Sequence, residues 1–236
     1  MRQKLLLSGA LAAAALIGIS LWAQRRSAVR TEGARILALG DSYTIGEGVA
    51  KSERWPSQMV EALRKKGFSV AVPKIIAHTG WATGELFAAT DSMVLPKHYD
   101  LVTLLIGVND QFRGGDAEAY RPEFRRMLQR AIQFAGGNKN RVIVISIPDW
   151  SVTPFAKGRD SEEIAAAIAR FNAVNRDESA KSDVRYVDIA PDSRIAAREP
   201  ALLVADGLHP SSAMYARWTQ LIAPSAQAAL LETSEN

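Results

Sequence analysis

The sequence predicts an α/β protein built on a five-stranded, doubly wound parallel sheet. Three observations carry that reading. From Arg35 onward, short apolar runs bounded by turn residues alternate with longer segments of helical period, the mark of stacked βαβ units. The second of these runs contains Pro73, which cannot donate to a ladder and so sets that strand at an edge, giving the order 2-1-3-4-5. The length of 236 residues, 47% apolar and 23% charged, suits one globular domain behind a leader.

Ile36 to Leu39 reads as the first strand, followed by a Gly-rich loop and a helix from Trp55 to Lys66. Trp55, Met59, Val60 and Leu63 share one face of that helix, and Gly67 stops it. Val70 to Ala77 is the edge strand. Leu101 to Ile106 is apolar almost throughout, as expected of a central strand covered on both sides. Its helix runs from Ala117 to Ala135, buries Tyr120, Phe124, Leu128 and Ala131, and ends at Gly136-Gly137. Val142 to Ile147 is the fourth strand, and Glu162 to Glu178 its helix, with Ile164, Ile168, Phe171 and Val174 inward. Tyr186 to Ile189 is the fifth strand. The last helix begins after Pro210, capped by Ser211 or Ser212, and turns Tyr215, Trp218 and Ile222 inward, with Pro224 kinking or dividing it.

The first 30 residues stand apart. They hold Arg2, Lys4, Arg25, Arg26 and Arg30 and no acid, and Leu5 to Trp22 is an uncharged stretch of 18 behind the basic start. Residues 1–30 therefore read as an export signal or an N-terminal membrane anchor with a short linker, and 31–236 as the folded domain. The expected location is periplasmic or extracellular, with a membrane tether through residues 5–22 if the leader stays. The chain has no cysteine, so neither a disulfide nor a lipid on cysteine is available. Once the leader's charges are set aside, 24 basic groups face 25 acidic ones, and the domain is near neutral despite the +4 of the whole chain. That argues against a nucleic-acid partner.

In an open parallel sheet, functional groups gather beyond the carboxyl ends of the strands. Four such loops carry polar residues: Gly40-Asp41-Ser42-Tyr43, Thr79-Gly80-Trp81, Gly107-Val108-Asn109-Asp110, and Asp206-Gly207-Leu208-His209-Pro210. Acyl transfer needs a nucleophile, a base in reach, a group that holds the base in one tautomer, and donors for the oxyanion. Ser42 supplies the hydroxyl. Among His78, His98 and His209, the last is singled out because Asp206, three residues earlier, can reach its other ring nitrogen. Gly80 can offer a backbone N–H and Asn109 side-chain donors. Taken singly, each loop is equally an ordinary turn or helix cap; it is their joint placement that points to chemistry.

The four loops, in this order and spacing from Ile36 to the last helix, resemble the SGNH (GDSL) hydrolases. The resemblance implies a three-layer, flavodoxin-like α/β/α sandwich over residues 31–236, with no cofactor and no metal. It implies Ser42 as nucleophile, Asp206 and His209 as acid and base, and an oxyanion hole formed by the Ser42 and Gly80 N–H groups with the Asn109 side chain. Gly84 competes with Gly80 for that place. Asp41 takes a structural role in the first block. The implied activity is hydrolysis of carboxylic esters or thioesters, with a small-molecule, glycan or lipid ester as the partner. Carbohydrate deacetylation, lysophospholipid hydrolysis, acyl transfer to another acceptor, and silent binding of an acyl or glycan ligand are the alternatives.

Tyr43, Trp81, Phe112, Trp150 and Phe155 lie near the predicted site as candidate substrate contacts. Other nucleophile and nucleotide motifs are absent. Position 44 is Thr, so Ser42 is not in a G-x-S-x-G elbow, and Gly46-Glu47-Gly48 lacks the third glycine of a dinucleotide fingerprint. Three scattered histidines do not make a zinc site.

Overall fold

The computed structural model describes residues 33–96 and 98–232. The readings of residues 1–30, including the tether through 5–22, lie outside the described residues. Among the described residues no helix is long and apolar enough to cross a membrane.

Five strands, β1 (Ile36–Gly40), β2 (Lys74–Ala77), β3 (Leu101–Leu105), β4 (Val142–Ile145) and β5 (Arg185–Val187), form one parallel sheet of order β2-β1-β3-β4-β5. β1, β3 and β4 are buried along their whole length, which is why they read as unbroken apolar runs. On one face pack α2 (Trp55–Lys65) and the final helix α8 (Ser212–Glu232); on the other pack α3 (Thr83–Asp91), α5 (Ala117–Phe134) and α6 (Ser161–Lys181). The remaining helices, α1 (Ser42–Ile45), α4 (Val108–Phe112) and α7 (Ala190–Ser193), are short turns at strand ends. Every inward residue expected on the four long helices is buried.

The strands are shorter than their apolar runs, and side chains from elsewhere explain where they stop. Ile147 lies past the end of β4 because the buried Asn172 of α6 takes both its backbone groups, at 2.8 Å each. The Ser146 hydroxyl accepts from Ile189 N–H at 2.8 Å and from Ala190 N–H at 3.1 Å, which closes the chain just after β5. At the edge, Val70 makes only an isolated bridge to Ala34, and the Arg64 guanidinium takes its carbonyl, so β2 begins after Pro73. Of the two expectations for Pro224, a kink or a division, the division does not occur: α8 runs from Ser212 to Glu232 through it. The helix α3 was not foreseen; its N-terminus is capped from a distance, as described below.

Gly40 closes β1 at a close approach. A Cβ there would lie 2.5 Å from the Leu105 carbonyl oxygen, so any larger residue would push β1 off β3 just ahead of Ser42.

Candidate active site

Ser42 is the first residue of α1, and its neighbours fix it there. The Asp41 carboxylate accepts the Tyr43 N–H at 3.0 Å, capping the turn, and Gly46, at φ 75°, ends it. Asp41 is fully buried, and its other oxygen has no hydrogen-bond partner. Burial pushes its carboxyl up to about 7, against the opposing pull of the Tyr43 N–H.

The loop holding His209 is closed at its base by a bridge between Leu203 and Pro210, with Val204 N–H donating to the His209 carbonyl at 2.9 Å. Within it, one Asp206 oxygen accepts the N–H groups of Leu208 and His209 at 2.8 and 2.9 Å. The other lies 2.6 Å from His209 Nδ1. Partial burial raises the Asp206 carboxyl, but these hydrogen bonds outweigh it and hold the group below the usual carboxylate range. The His209 ring leans on Tyr43, with centroids 5.6 Å apart, and Tyr43 in turn meets the edge of Trp218 at 6.2 Å. Asp206 therefore sets which imidazole nitrogen faces away, and Tyr43 sets the tilt of the ring.

Helix α4 grips the facing loop at three successive points. Arg113, just past its end, donates to the Gly80 carbonyl at 2.8 Å and pairs with Glu85 at 3.0 Å. Asn109 Nδ2 donates to the Trp81 carbonyl at 2.9 Å. Asp110 accepts the Thr83 N–H and hydroxyl, both at 3.0 Å, and so caps α3. From the other side, the Thr79 hydroxyl bonds the Glu47 carboxylate beyond α1. Gly80 sits at φ 86°, in the left-handed region that suits glycine, where nothing crowds it. The Asn109 amide spends one N–H on the loop and keeps a second.

These elements enclose a pocket of about 160 Å³. Ser42, Tyr43, Thr79, Gly80, Val108, Asn109, Phe112, Trp150, Phe155, Leu208 and His209 line it. The structure thus brings together Ser42, Gly80, Asn109 and His209, with Asp206 behind His209. Of the five aromatic candidates, Tyr43, Phe112, Trp150 and Phe155 line the pocket and Trp81 does not. Trp81 is stacked on His78 instead, with centroids 5.4 Å apart. Gly84 lies in the first turn of α3, where an added Cβ would face the Glu123 carboxylate, so Gly80 alone of the two glycines reaches the pocket. Sequence reasoning missed Thr79, Val108 and Leu208, each adjacent to a residue it had singled out. Among the described residues, no group of three or more His, Asp or Glu side chains could hold a metal ion.

A doubly wound sheet whose carboxyl edge carries a serine, a carboxylate-paired histidine and an asparagine around one pocket defines the class: an α/β protein with a hydrolase-type site. The chain belongs to the GDSL-like lipase/acylhydrolase family, whose profile matches residues 38–217. It is a hydrolase of esterase and lipase kinship. Similar solved structures include the lipase/acylhydrolase of Enterococcus faecalis, at 20% identity and TM-score 0.65, covering 81% of this chain and 94% of that one. The acetylxylan esterase Axe2 of Geobacillus stearothermophilus is 18% identical at TM-score 0.61, over 84% and 94%. An acetyl xylan esterase, AlAXEase, is 18% identical at TM-score 0.65, over 81% and 98%. No curated protein sequence matches.

Proposed function

We propose that this chain hydrolyses carboxylic esters of short to medium acyl length through an acyl-enzyme on Ser42. The observation that carries the reading is a single pocket lined by Ser42, Gly80, Asn109 and His209, with Asp206 2.6 Å from the far nitrogen of His209. Neutral His209 removes the Ser42 proton as the oxygen attacks the substrate carbonyl. The Ser42 and Gly80 N–H groups and the unspent Asn109 N–H stabilise the tetrahedral oxyanion. On collapse, His209 gives its proton to the leaving alcohol, leaving the acyl group on Ser42. Water, deprotonated by the same His209, then attacks the acyl-enzyme; collapse releases the carboxylic acid and returns the proton to Ser42. Asp206 holds the tautomer and steadies the imidazolium that forms in each half.

The apolar lining and small volume of the pocket favour compact acyl groups. Two of the similar solved structures are acetylxylan esterases, which makes an acetylated glycan a natural substrate to try beside lipid esters. The basic, uncharged-core leader of residues 1–30 supports action outside the cytoplasm, cleaved free or tethered.

Ser42→Ala tests the assignment. The full chain is expected to turn over 4-nitrophenyl acetate and to be labelled by a serine-reactive phosphonate, and the variant to do neither. Labelling that survives in the variant, or a chain that never cleaves the ester, overturns the reading.

A further inference from the structure

Beside the pocket, Phe112, Trp150 and Phe155 form an aromatic wall, with centroids 5.6 to 6.1 Å apart. All three rings line the pocket, and Phe112 and Phe155 are also 44% and 40% exposed, so the wall continues outward from the site. Trp150 is fixed by its indole N–H to Gln111 at 2.9 Å. Over this wall lies the guanidinium of Arg159, 5.1 Å from the Phe112 centroid, 5.5 Å from Phe155 and 5.8 Å from Trp150.

A guanidinium on aromatic rings uses its flat face, while its N–H donors lie in the plane and point outward. At Arg159 no carboxylate among the described residues takes them. The neighbouring acids of the same outer shelf are engaged elsewhere. Asp116 accepts the N–H groups of Glu118 and Ala119, Asp160 accepts that of Glu163, and Glu163 pairs with Arg170 at 2.6 Å. Asp116 and Asp160 also sit at the starts of α5 and α6, where the helix ends offset their charge. Arg159 lines the outer shelf together with Phe112 and Trp150, two rings that also line the pocket, so the shelf and the pocket share this wall.

We propose that Arg159 is a specificity-determining residue that selects esters bearing a negatively charged group on the part lying along Phe112, Trp150 and Phe155. The inference rests on the ester-hydrolysis reading of the same site. The rings hold the uncharged body of that part, and the guanidinium edge takes the anion by charge-assisted hydrogen bonds. Because the group acts at a distance from the reacting carbonyl, its effect falls on KM more than on kcat.

Two matched pairs of esters, assayed with the wild-type chain, Arg159→Gln and Arg159→Lys, test the proposal and separate its two sources of charge. Mono-4-nitrophenyl glutarate against 4-nitrophenyl butyrate places the anion on the acyl side. The 4-acetoxybenzoate anion against 4-acetoxybenzamide places it on the alcohol side. In one arm, Arg159→Gln is expected to lose about tenfold in kcat/KM on the anionic ester and little on its neutral partner. Arg159→Lys should keep part of the preference, and added salt should shrink it in the wild type. Loss in the acyl arm or in the alcohol arm tells which part lies along the wall. Equal effects on charged and neutral esters in both arms, or none, overturn the proposal. Failure of the wild type to cleave either neutral ester is a different result: it removes the hydrolase reading itself, and the proposal with it.

Discussion

Two buried carboxylates in this molecule have opposite fates, and the difference separates its working end from its scaffold. Asp41, beside the pocket, has one oxygen on a backbone N–H and the other on nothing, and burial pushes it up to about 7. Glu178 of α6 is as deeply buried, at 1% exposure, yet it is held by Arg125 at 2.7 Å, Arg121 at 3.0 Å and Lys181 at 3.3 Å. The Arg125 hydrogen bond, then those of Arg121 and Lys181, carry it down to about 2 against the effect of burial. Burial without a cation disfavours the charge, and burial inside a cation clasp favours it. The clasp ties α5 to α6; the Asp41 turn presents Ser42. Substitutions at the working end should therefore cost turnover, or relieve strain on stability, while those in the clasp should cost stability alone.

The largest effect tests the functional half of that contrast. Asn109→Ala removes both the Trp81 anchor and the second N–H proposed for the oxyanion, and kcat is expected to fall about a hundred- to a thousandfold. The urea midpoint should hardly move, since a single partly exposed hydrogen bond is lost. A fall in kcat under threefold removes Asn109 from the oxyanion hole; a large loss of stability would make it scaffold.

The Asp41 turn offers the next largest effect, with the reverse sign on stability. The folded pKa lies near 7, above the ordinary 3.8, so the folded state prefers the proton. Its contribution to stability is full below pH 3.8 and is lost as pH rises through 7. Asp41→Asn keeps an oxygen for the Tyr43 N–H and cannot ionise. The variant should gain on the wild type between pH 4 and 8, by about 4 kcal/mol at most. Urea midpoints at pH 4, 6 and 8 read the trend, and a constant difference across them contradicts a buried, proton-bearing Asp41.

The parts legible in the sequence are those decided by local pattern. The core strands, the helices carrying Trp55, Phe124, Ile168 and Trp218, and the sheet order followed from apolar period and one edge proline. The Asp206–His209 pairing was readable because three residues in one turn set its reach. What escaped depends on partners far along the chain. The helix α3 is capped by Asp110, 27 residues on, although Glu85 accepting the Ala82 N–H at 2.8 Å was a local hint. The ends of β4 and β5 are set by Asn172 and Ser146 from other elements. The second duty of Asn109, holding the Trp81 carbonyl, joins loops 28 residues apart. Trp81 was read as a substrate contact by its place next to Gly80, but the chain turns at the glycine and aims the indole at His78.

The clasp supplies the smallest effect and the sharpest opposition to Asp41. With its pKa near 2 rather than 4.5, Glu178 contributes stability that is present above pH 4.5 and is lost as pH falls toward 2. Glu178→Gln leaves the volume unchanged but replaces a charge-assisted contact to Arg125 with a neutral one. The freed guanidinium and ammonium groups of Arg125 and Lys181 are 47% and 56% exposed and can return to water, which limits the penalty. A loss of about 2 kcal/mol at pH 7 follows, with kcat unchanged. The wild type's advantage over this variant should shrink as pH drops from 5 to 3, and its disadvantage against Asp41→Asn should grow as pH rises from 4 to 8, so the two differences have opposite signs. If the two differences carry the same sign at pH 7, with both variants less stable than the wild type or both more stable, the two carboxylates do not differ in the way their partners require, and the division between working end and scaffold falls with them.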